Sequence, residues 1–483
     1  MPTDPRGLRS DAPLLDAWLR FHEEAPTSFT IPGHKQRRDL VGDVIAGDVP
    51  LYAGLDTMKL SGGVLAEAET RAARLWGADG CRFSVGGATH VNQALALAIA
   101  ETRSNTADFA SPGTGSVVVS RTLHRSMLIG LVLAGLSPVW VRPEMDPSTG
   151  LPLGVAPATV ADALRRHPEA RAVFVGDPSY VGTVGDVAGL ADTAHAHGMP
   201  LVVDAAWAAH FGFHPDLPRH PLQLGADAMV VSAHKSLPAW SQAALVLVRG
   251  ARIDAARLDA GVEATHTTSP AGAILASIDA ARALLQRDGE SLLAEALCAV
   301  RAARDRLAGV EGLIALDGPA VDPLKLTLVL PGTGADGIAV ENDLLAAGLP
   351  VEAAERDTIV AQVSLADTEG SLGRLTDALV TSLARHRGPP RPIATGAAYL
   401  VDPITAMPPR AAFFAPGDTV TLRQSIGRVS AELVAPYPPG IPVLAPGEEV
   451  TGEVLDALRK ARADGVRIAY ATDPSLETLR VVR

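Results

Sequence analysis

Two side chains suited to covalent catalysis lie at the ends of short apolar segments. Residues 229–231 lead into Ser-Ala-His-Lys, which ends at Lys235, and residues 201–203 lead into Asp204. A lysine amine can hold an aldehyde as a Schiff base, and a carboxylate can keep a pyridine nitrogen protonated. The pair therefore predicts a site for pyridoxal 5'-phosphate. The simpler alternatives are that Lys235 is an ordinary surface lysine and that Asp204 caps the next helix.

Neighbouring residues could complete such a site. Ser232 can donate a hydrogen bond to a phosphate, and His234 can lie beside the imine. Trp207 and His210 follow Asp204 on one loop. Each of these two could line the pocket, or could equally be a packing residue or a solvated loop residue.

A glycine-rich turn and a histidine add to the candidate site. Gly87, Ala88 and Thr89 precede an apolar segment that predicts a helix over residues 94–100. Backbone N–H groups that converge at a helix start bind anions, although many such loops are only turns. His124 follows a predicted strand, at the edge where open α/β sheets build their sites. Its imidazole could stack on a planar cofactor or be an ordinary loop residue.

Composition limits the class of protein. A chain of 483 residues exceeds the size of one core, so two or three domains are expected. Charged residues, Gly and Pro interrupt every apolar run before it could cross a membrane. The net charge of −12 and the lack of a basic cluster argue against nucleic acid as a partner. Two cysteines are too few for a disulfide framework, so a cytoplasmic location is expected.

Other catalytic classes lack their motifs. No H-E-x-x-H motif or compact His/Asp spacing is present, so no metal is expected. The G-x-S-x-G motif of a serine nucleophile is also missing from the sequence.

The order of elements predicts an α/β fold. Apolar strands alternate with helices through the first part of the chain, as in a parallel or mixed sheet covered on both faces. The strands are predicted at residues 117–120, 172–175, 201–204, 229–232 and 245–248, and later at 324–330 and 359–365; helices are predicted at 13–19 and 271–285. We expect an N-terminal arm (1–50), a large cofactor-binding domain (51–300), a small α/β domain (301–388) and a C-terminal segment (389–483).

These residues together resemble the fold-type I pyridoxal phosphate enzymes, and within them the Orn/Lys/Arg decarboxylase family in its short, biosynthetic form. The resemblance covers nearly the whole chain. It lies in residues 31–35, 86–89, 123–126, 177–182, 204–210 and 232–235, and most specifically in the tail at 411–416 and 435–448. Residues 56–63 loosely match a further family motif near the entrance of the site.

The resemblance implies a fold and a set of roles. The fold would be an aspartate aminotransferase-like large domain with a mostly parallel or mixed seven-stranded sheet, plus a smaller α/β domain. Lys235 would hold pyridoxal 5'-phosphate, Asp204 would pair with its ring nitrogen, and His124 would stack on the ring. The implied phosphate ligands are Gly87, Ala88, Thr89 and Ser232, with His234 and Trp207 beside the cofactor. Glu352 would recognise the substrate side chain, and Thr268 would reach the cofactor of the adjacent subunit of a homodimer.

The resemblance implies decarboxylation of arginine, lysine or ornithine. Glu352 could instead be a solvated surface residue with no part in substrate recognition. The phosphate loop lacks the Ser of the usual Asn-Gly-Ser-Thr, and Ala271-Gly272 stands where the family has Ser-Tyr. An aminotransferase or another pyridoxal phosphate lyase of a specialised pathway is the alternative. A binding protein that kept the fold is a third interpretation.

Overall fold

The computed structural model describes residues 3–50, 52–57, 63–100, 115–393, 401–437, 440–463 and 465–483. Within these ranges a seven-stranded mixed sheet forms the centre of the molecule, in the order β1-β7-β6-β5-β4-β2-β3. Its strands are β1 (Gly80–Ser84), β2 (Ser116–Ser120), β3 (Ser137–Val141), β4 (Val173–Gly176), β5 (Leu201–Asp204), β6 (Ala228–Ser232) and β7 (Ala244–Val248). Only β7 runs antiparallel to its neighbours.

Helices precede, separate and follow the strands of this sheet. They are α1 (Pro13–Glu24), α2 (Arg38–Val41), α3 (Val64–Leu75), α4 (Gly87–Ile99), α5 (Arg125–Ala134), α6 (Pro157–Arg166), α7 (Val187–Ala196), α8 (Ala233–Ser236), α9 (Ala255–Thr265) and α10 (Gly272–Leu307). Successive residues of a strand point to opposite faces, so Val117 and Val119 of β2 join one apolar core and Val118 joins the other. The predicted α/β class and mixed sheet are confirmed.

Two smaller units follow. The first is an antiparallel sheet in the order β10-β11-β9-β8, and the second contains two strand pairs, β12 with β15 and β13 with β14. The strands are β8 (Ile314–Ala315), β9 (Lys325–Val329), β10 (Ala353–Glu355), β11 (Thr358–Gln362), β12 (Gly417–Thr421), β13 (Ala435–Tyr437), β14 (Arg467–Ala469) and β15 (Thr478–Val482). The helices are α11 (Gly337–Ala346), α12 (Glu369–Arg385), α13 (Pro409–Phe414), α14 (Leu422–Ser425) and α15 (Gly452–Ala463), and short 3-10 turns span Gly42–Ile45, Pro221–Leu224 and Pro331–Thr333.

The structure departs from the sequence-based expectation in several elements. Strands β1 and β3 were not predicted; both are edge strands, and β3 contains Pro138, which lacks a backbone N–H and is tolerated at an edge because one side of the strand has no partner to bond. Helix α4 begins at Gly87, inside the glycine turn, rather than at residue 94. Helix α10 continues to Leu307, well past residue 285 and through the expected domain boundary at residue 300. The division into four regions stays a prediction.

Among the described helices, none is long and apolar enough to cross a membrane.

A buried ion pair attaches the C-terminal segment to the large sheet. Arg121, directly after β2, makes a two-pronged contact with Glu448, and its second nitrogen lies 2.9 Å from Glu448 Oε2. Both side chains are almost fully buried. The same guanidinium donates to the carbonyls of Pro442 and Val443 and lies over the ring of Trp140 at 4.7 Å. This contact fixes the segment beside the carboxyl edge of β2.

Replacing Arg121 with Met leaves the Glu448 carboxylate buried without its cation. We expect the free energy of unfolding to fall by about 3–5 kcal/mol and the C-terminal segment to become more sensitive to limited proteolysis. Denaturant titration and mass spectrometry of the fragments measure both. Arg459→Met is the matched control, because Arg459 pairs with Asp456 on the exposed surface of α15 and should change stability by less than about 1 kcal/mol. Equal losses in the two variants would contradict the anchoring role.

Candidate active site

A cavity of about 700 Å³ opens at the carboxyl edge of the large sheet. Strands β2, β4, β5 and β6 are parallel, so the residues that follow them meet at this one edge. Of the candidate site residues, all except Thr268 and His210 line the cavity: Gly87, Ala88, Thr89, His124, Asp204, Trp207, Ser232, His234, Lys235 and Glu352.

The amine of Lys235 lies against an aromatic ring. Its Nζ is 3.9 Å from the centroid of the Trp207 ring. Burial lowers the pKa of Lys235 below its usual range, while the negative charges of Asp204 and Glu352 oppose this shift. A lowered pKa increases the fraction of the neutral amine, which is the nucleophilic form. The surroundings of Lys235 therefore suit it for covalent chemistry.

Asp204 ends β5 and is buried, and its two carboxylate oxygens are both hydrogen-bonded. The side-chain amide of Asn92, on α4, donates to Oδ2 at 2.8 Å, and the backbone N–H of Ala206 donates to Oδ1 at 3.2 Å. These donors stabilise the anion and fix its orientation. The carboxylate is thus suited to hold a proton on a pyridine nitrogen.

Two histidines face the cavity, and their rings have different hydrogen-bond partners. His234 Nδ1 lies 3.0 Å from the carbonyl oxygen of Ala243. A carbonyl only accepts, so Nδ1 carries the proton, and Nε2 is the acceptor of the neutral ring. His124 is accessible from the cavity, yet desolvation by the surrounding protein lowers its pKa; Asp204 opposes this shift and Lys235 adds to it.

The other end of the cavity has the features of an anion site. Gly87 starts α4 with φ of +71°, a conformation that favours glycine, and its N–H donates to the Gln242 carbonyl. The next N–H groups belong to the first turn of the helix, where no intrahelical acceptor exists. Within the described chain, the buried Ser232 hydroxyl has no hydrogen-bond partner. A phosphate group fits these donors, so the residues present suit pyridoxal 5'-phosphate.

The two smaller units close the cavity. Glu352, just before β10, brings an exposed carboxylate to the wall opposite the large sheet. Tyr437 and Tyr470 of the C-terminal segment line the mouth, and Tyr470 stacks under the guanidinium of Arg125 at 4.3 Å. Residues 438–439 of the tail motif and 58–62 of the entrance motif lie outside the described residues.

Thr268 and His210 lie outside this chain's cavity. Thr268 is exposed in the connection between α9 and α10. His210 is buried elsewhere and pairs with Asp322 at 3.1 Å. No described group of three or more His, Cys, Asp or Glu side chains could hold a metal ion.

Three residues near the site were not assigned a role from the sequence. Asn92 and Ser126 are buried polar side chains behind Asp204 and His124. Their one signal is a polar residue within an apolar helix, since such residues need buried partners. Lys325, on β9, places its Nζ 3.5 Å from the Trp207 ring centroid and donates to Gln362 Oε1 at 2.5 Å. Nothing in the local sequence distinguishes it from a surface lysine of a strand.

Lys325 has 0% exposure, and burial lowers its pKa to about 7, although Asp322 and Glu352 oppose the shift. The unfolded chain keeps an ordinary lysine pKa of about 10.4. Between these values the unfolded state binds more protons than the folded state, so this group makes stability rise with pH, by on the order of 1 kcal/mol per pH unit.

We therefore expect the unfolding free energy of the unmodified protein to rise between pH 7 and 9 relative to Lys325→Met, measured by denaturant titration across that range. Lys460→Met, which removes an exposed lysine of α15, should run parallel to the unmodified protein. Parallel curves for all three proteins would contradict this account.

Comparison with known proteins identifies the family of the chain. The family model for the Orn/Lys/Arg decarboxylase major domain matches residues 12–318, and that for the C-terminal domain matches residues 394–465. Arginine decarboxylases of Halalkalibacterium halodurans and Bacillus subtilis are 30% and 29% identical to the chain, and each alignment covers 98% of both proteins. The solved structure of lysine decarboxylase A from Pseudomonas aeruginosa, 22% identical, superposes with a TM-score of 0.79 over 98% of this chain and 80% of that one.

The expected family and fold are thus confirmed. The chain belongs to the Orn/Lys/Arg decarboxylase family and is a pyridoxal phosphate-dependent amino acid decarboxylase.

Proposed function

We propose that the protein decarboxylates L-arginine to agmatine and carbon dioxide. The observation that carries this proposal is one cavity that brings Lys235, Asp204 and His124 together with a carboxylate, Glu352, on the opposite wall. The full-length relatives named as arginine decarboxylases support arginine over lysine and ornithine. Glu352 can bind a guanidinium through two parallel hydrogen bonds, which an ammonium cannot form.

The described lining also favours loss of the α-carboxylate over its retention. Aminotransferases and side-chain lyases keep this group, and an arginine clamp suits that purpose. Among the described residues that line the cavity there is no arginine. The described part of the cavity wall thus offers the substrate carboxylate no guanidinium partner, which suits a reaction that releases this group.

Each residue of the site has a proposed part in the reaction. Pyridoxal 5'-phosphate supplies an electron sink for the bond that breaks at the α-carbon. Lys235 would hold the cofactor and release it to the amine of the substrate. Asp204 would keep the ring nitrogen protonated, and His124 would hold the ring in place from one face. The first turn of α4, with Ser232, would bind the phosphate.

Proton return to the α-carbon needs an acid at the cavity wall. His234 and Lys235 are the two candidates that line it. The Nδ1 proton of His234 is held by the Ala243 carbonyl, so Nε2 is the atom able to carry and release a proton. Residues of the C-terminal segment at the cavity mouth would limit the access of water.

A substrate panel tests the proposal. Holoenzyme incubated with arginine, lysine and ornithine should release carbon dioxide from arginine with the highest kcat/KM, and mass spectrometry should identify agmatine. Lys235→Ala should be inactive on all three and should retain no covalently bound cofactor after borohydride reduction. The exposed-site variant Lys460→Ala should keep both the activity and the covalently bound cofactor. Glu352→Gln should reduce the preference for arginine by at least about tenfold, roughly 1.4 kcal/mol. Formation of an oxo acid instead of carbon dioxide would overturn the proposed reaction.

We also propose a homodimer, located in the cytoplasm, whose active sites are completed across the interface. Large apolar side chains of the arm are exposed in the single chain, among them Phe29 at 92% and Val44 at 82%. We infer that these exposed apolar side chains become buried against the partner subunit. Thr268 is exposed and could reach a neighbouring site, as the family resemblance implies. The free cysteines Cys81 and Cys298 suit a reducing compartment.

Subunit mixing tests the shared site. A Lys235→Ala subunit and a subunit altered at Thr267 and Thr268 should each have low activity alone, and hybrids formed under exchange conditions should recover part of it. Light scattering should show no active monomer on dilution. No recovery despite measured subunit exchange would contradict the shared site. Lys235→Ala protein taken alone through the same exchange conditions provides the baseline activity.

A further inference from the structure

A continuous set of buried hydrogen bonds links Asp204 to His124. The Asn92 amide nitrogen lies 2.8 Å from Asp204 Oδ2 and 3.1 Å from Ser126 Oγ. Ser126 Oγ lies 2.8 Å from His124 Nδ1. Asn92 and Ser126 are almost completely buried, so no water competes for these contacts. The two groups expected to face opposite parts of one cofactor ring are therefore physically coupled.

The direction of each bond follows from the chemistry of the groups. An aspartate carboxylate only accepts, so Asn92 must turn its NH₂ group toward Asp204. The same NH₂ reaches Ser126 Oγ, which then accepts one hydrogen bond from Asn92. The hydroxyl proton of Ser126 is left to point to His124 Nδ1. The order of donation is thus Asn92 to Ser126 to His124.

A second, independent donor points to the same ring nitrogen. The backbone N–H of Ser126 lies 3.2 Å from His124 Nδ1, where His124 caps the start of α5. A nitrogen that accepts from a backbone N–H cannot itself carry a proton. His124 must then hold its proton on Nε2, as a neutral imidazole.

The charges around His124 agree with a neutral ring. They are Asp204 at the end of β5, Lys235 after β6 and Arg125 in the first turn of α5, and only the first favours a cationic imidazole. Desolvation is the largest influence on this ring and also disfavours the cation.

We propose that Asn92 and Ser126 are positioning residues that fix His124 as the neutral Nε2–H tautomer. The proposal rests on the proposed roles of His124 and Asp204 and does not depend on which amino acid is the substrate. A neutral ring can lie against a cationic pyridine ring without repulsion, whereas an imidazolium there would oppose the proton that Asp204 holds in place. The network thereby keeps Asp204 as the charge that determines the protonation of the ring nitrogen.

The tautomer can be observed directly. In holoenzyme labelled with ¹⁵N-histidine, NMR should show His124 with a protonated Nε2 and an unprotonated Nδ1 at pH 7, its resonances being assigned by their loss in His124→Gln. Ser126→Ala keeps the backbone donor but removes the hydroxyl donor to the neutral ring. We expect its His124 pKa to rise by about one pH unit, with the acid limb of kcat moving in the same direction. KM should change less than twofold.

Three further variants separate positioning from simple structural damage. Ser126→Thr retains a hydroxyl and should keep the His124 pKa and the pH profile of the unmodified protein. Asn92→Leu leaves the Ser126 hydroxyl free to rotate away from His124, so the ring should keep its Nε2–H tautomer through the Ser126 backbone N–H while its pKa rises by less than in Ser126→Ala. Ser425→Ala removes another buried hydroxyl, which donates to the Leu422 carbonyl far from this network, and should leave His124 unchanged. Circular dichroism confirms that each variant is folded.

A protonated Nδ1 in the unmodified holoenzyme would overturn the proposal, as would a His124 pKa in Ser126→Ala equal to that in Ser425→Ala. Failure of the arginine panel would leave the tautomer result unaffected, so the two proposals can fail separately.

Discussion

The buried carboxylate of Asp204 is the group on which the arrangement of the site depends. A charge at the end of a central strand is costly unless every lone pair is used. Asn92 from α4 and the Ala206 N–H occupy part of this capacity, and the cavity lies beside it. A cationic ring in the cavity would complete the compensation. The same charge moderates the pKa of Lys235 and of His124, so one carboxylate influences the other two ionisable groups proposed to contact the cofactor.

The sequence predicts that Asp204 and Lys235 lie at one edge of the sheet, because the signal for their position is local, while their roles stay a prediction. Apolar segments that end at Asp204 and in Ser-Ala-His-Lys must place their last side chains at one edge of a parallel sheet. Asn92 and Ser126 escaped assignment because their importance comes from tertiary contacts with residues far along the chain. Lys325 is a similar case, since only the fold brings a strand of the small sheet against Trp207. The missed strand β3 and the extended α10 show that tertiary packing overrides local signals such as Pro138 or Gly289.

The C-terminal segment illustrates a different kind of information. Beyond β13, the described residues of its Pro-rich string form little regular structure, and neither helix nor strand periodicity explains the string. The structure gives a physical reason for part of it. The string places Glu448 opposite Arg121 and the carbonyls of Pro442 and Val443 within reach of the same guanidinium. It also brings Tyr437 to the cavity mouth. The buried Arg121 guanidinium thus positions this wall of the active site, although neither Arg121 nor Glu448 has a part in the proposed reaction.

Lys235 and Lys325 show how the surroundings, rather than the residue type, assign a role. Both ammonium groups lie against the ring of Trp207, and burial lowers the pKa of both. Lys235 faces the cavity beside Asp204, so its neutral amine can reach a bound molecule. Lys325 is fully enclosed and bonded to Gln362, so its amine is held by the protein alone. Access to the cavity is therefore the physical difference that suits Lys235 to the proposed nucleophilic role and leaves Lys325 as a support of the Trp207 ring.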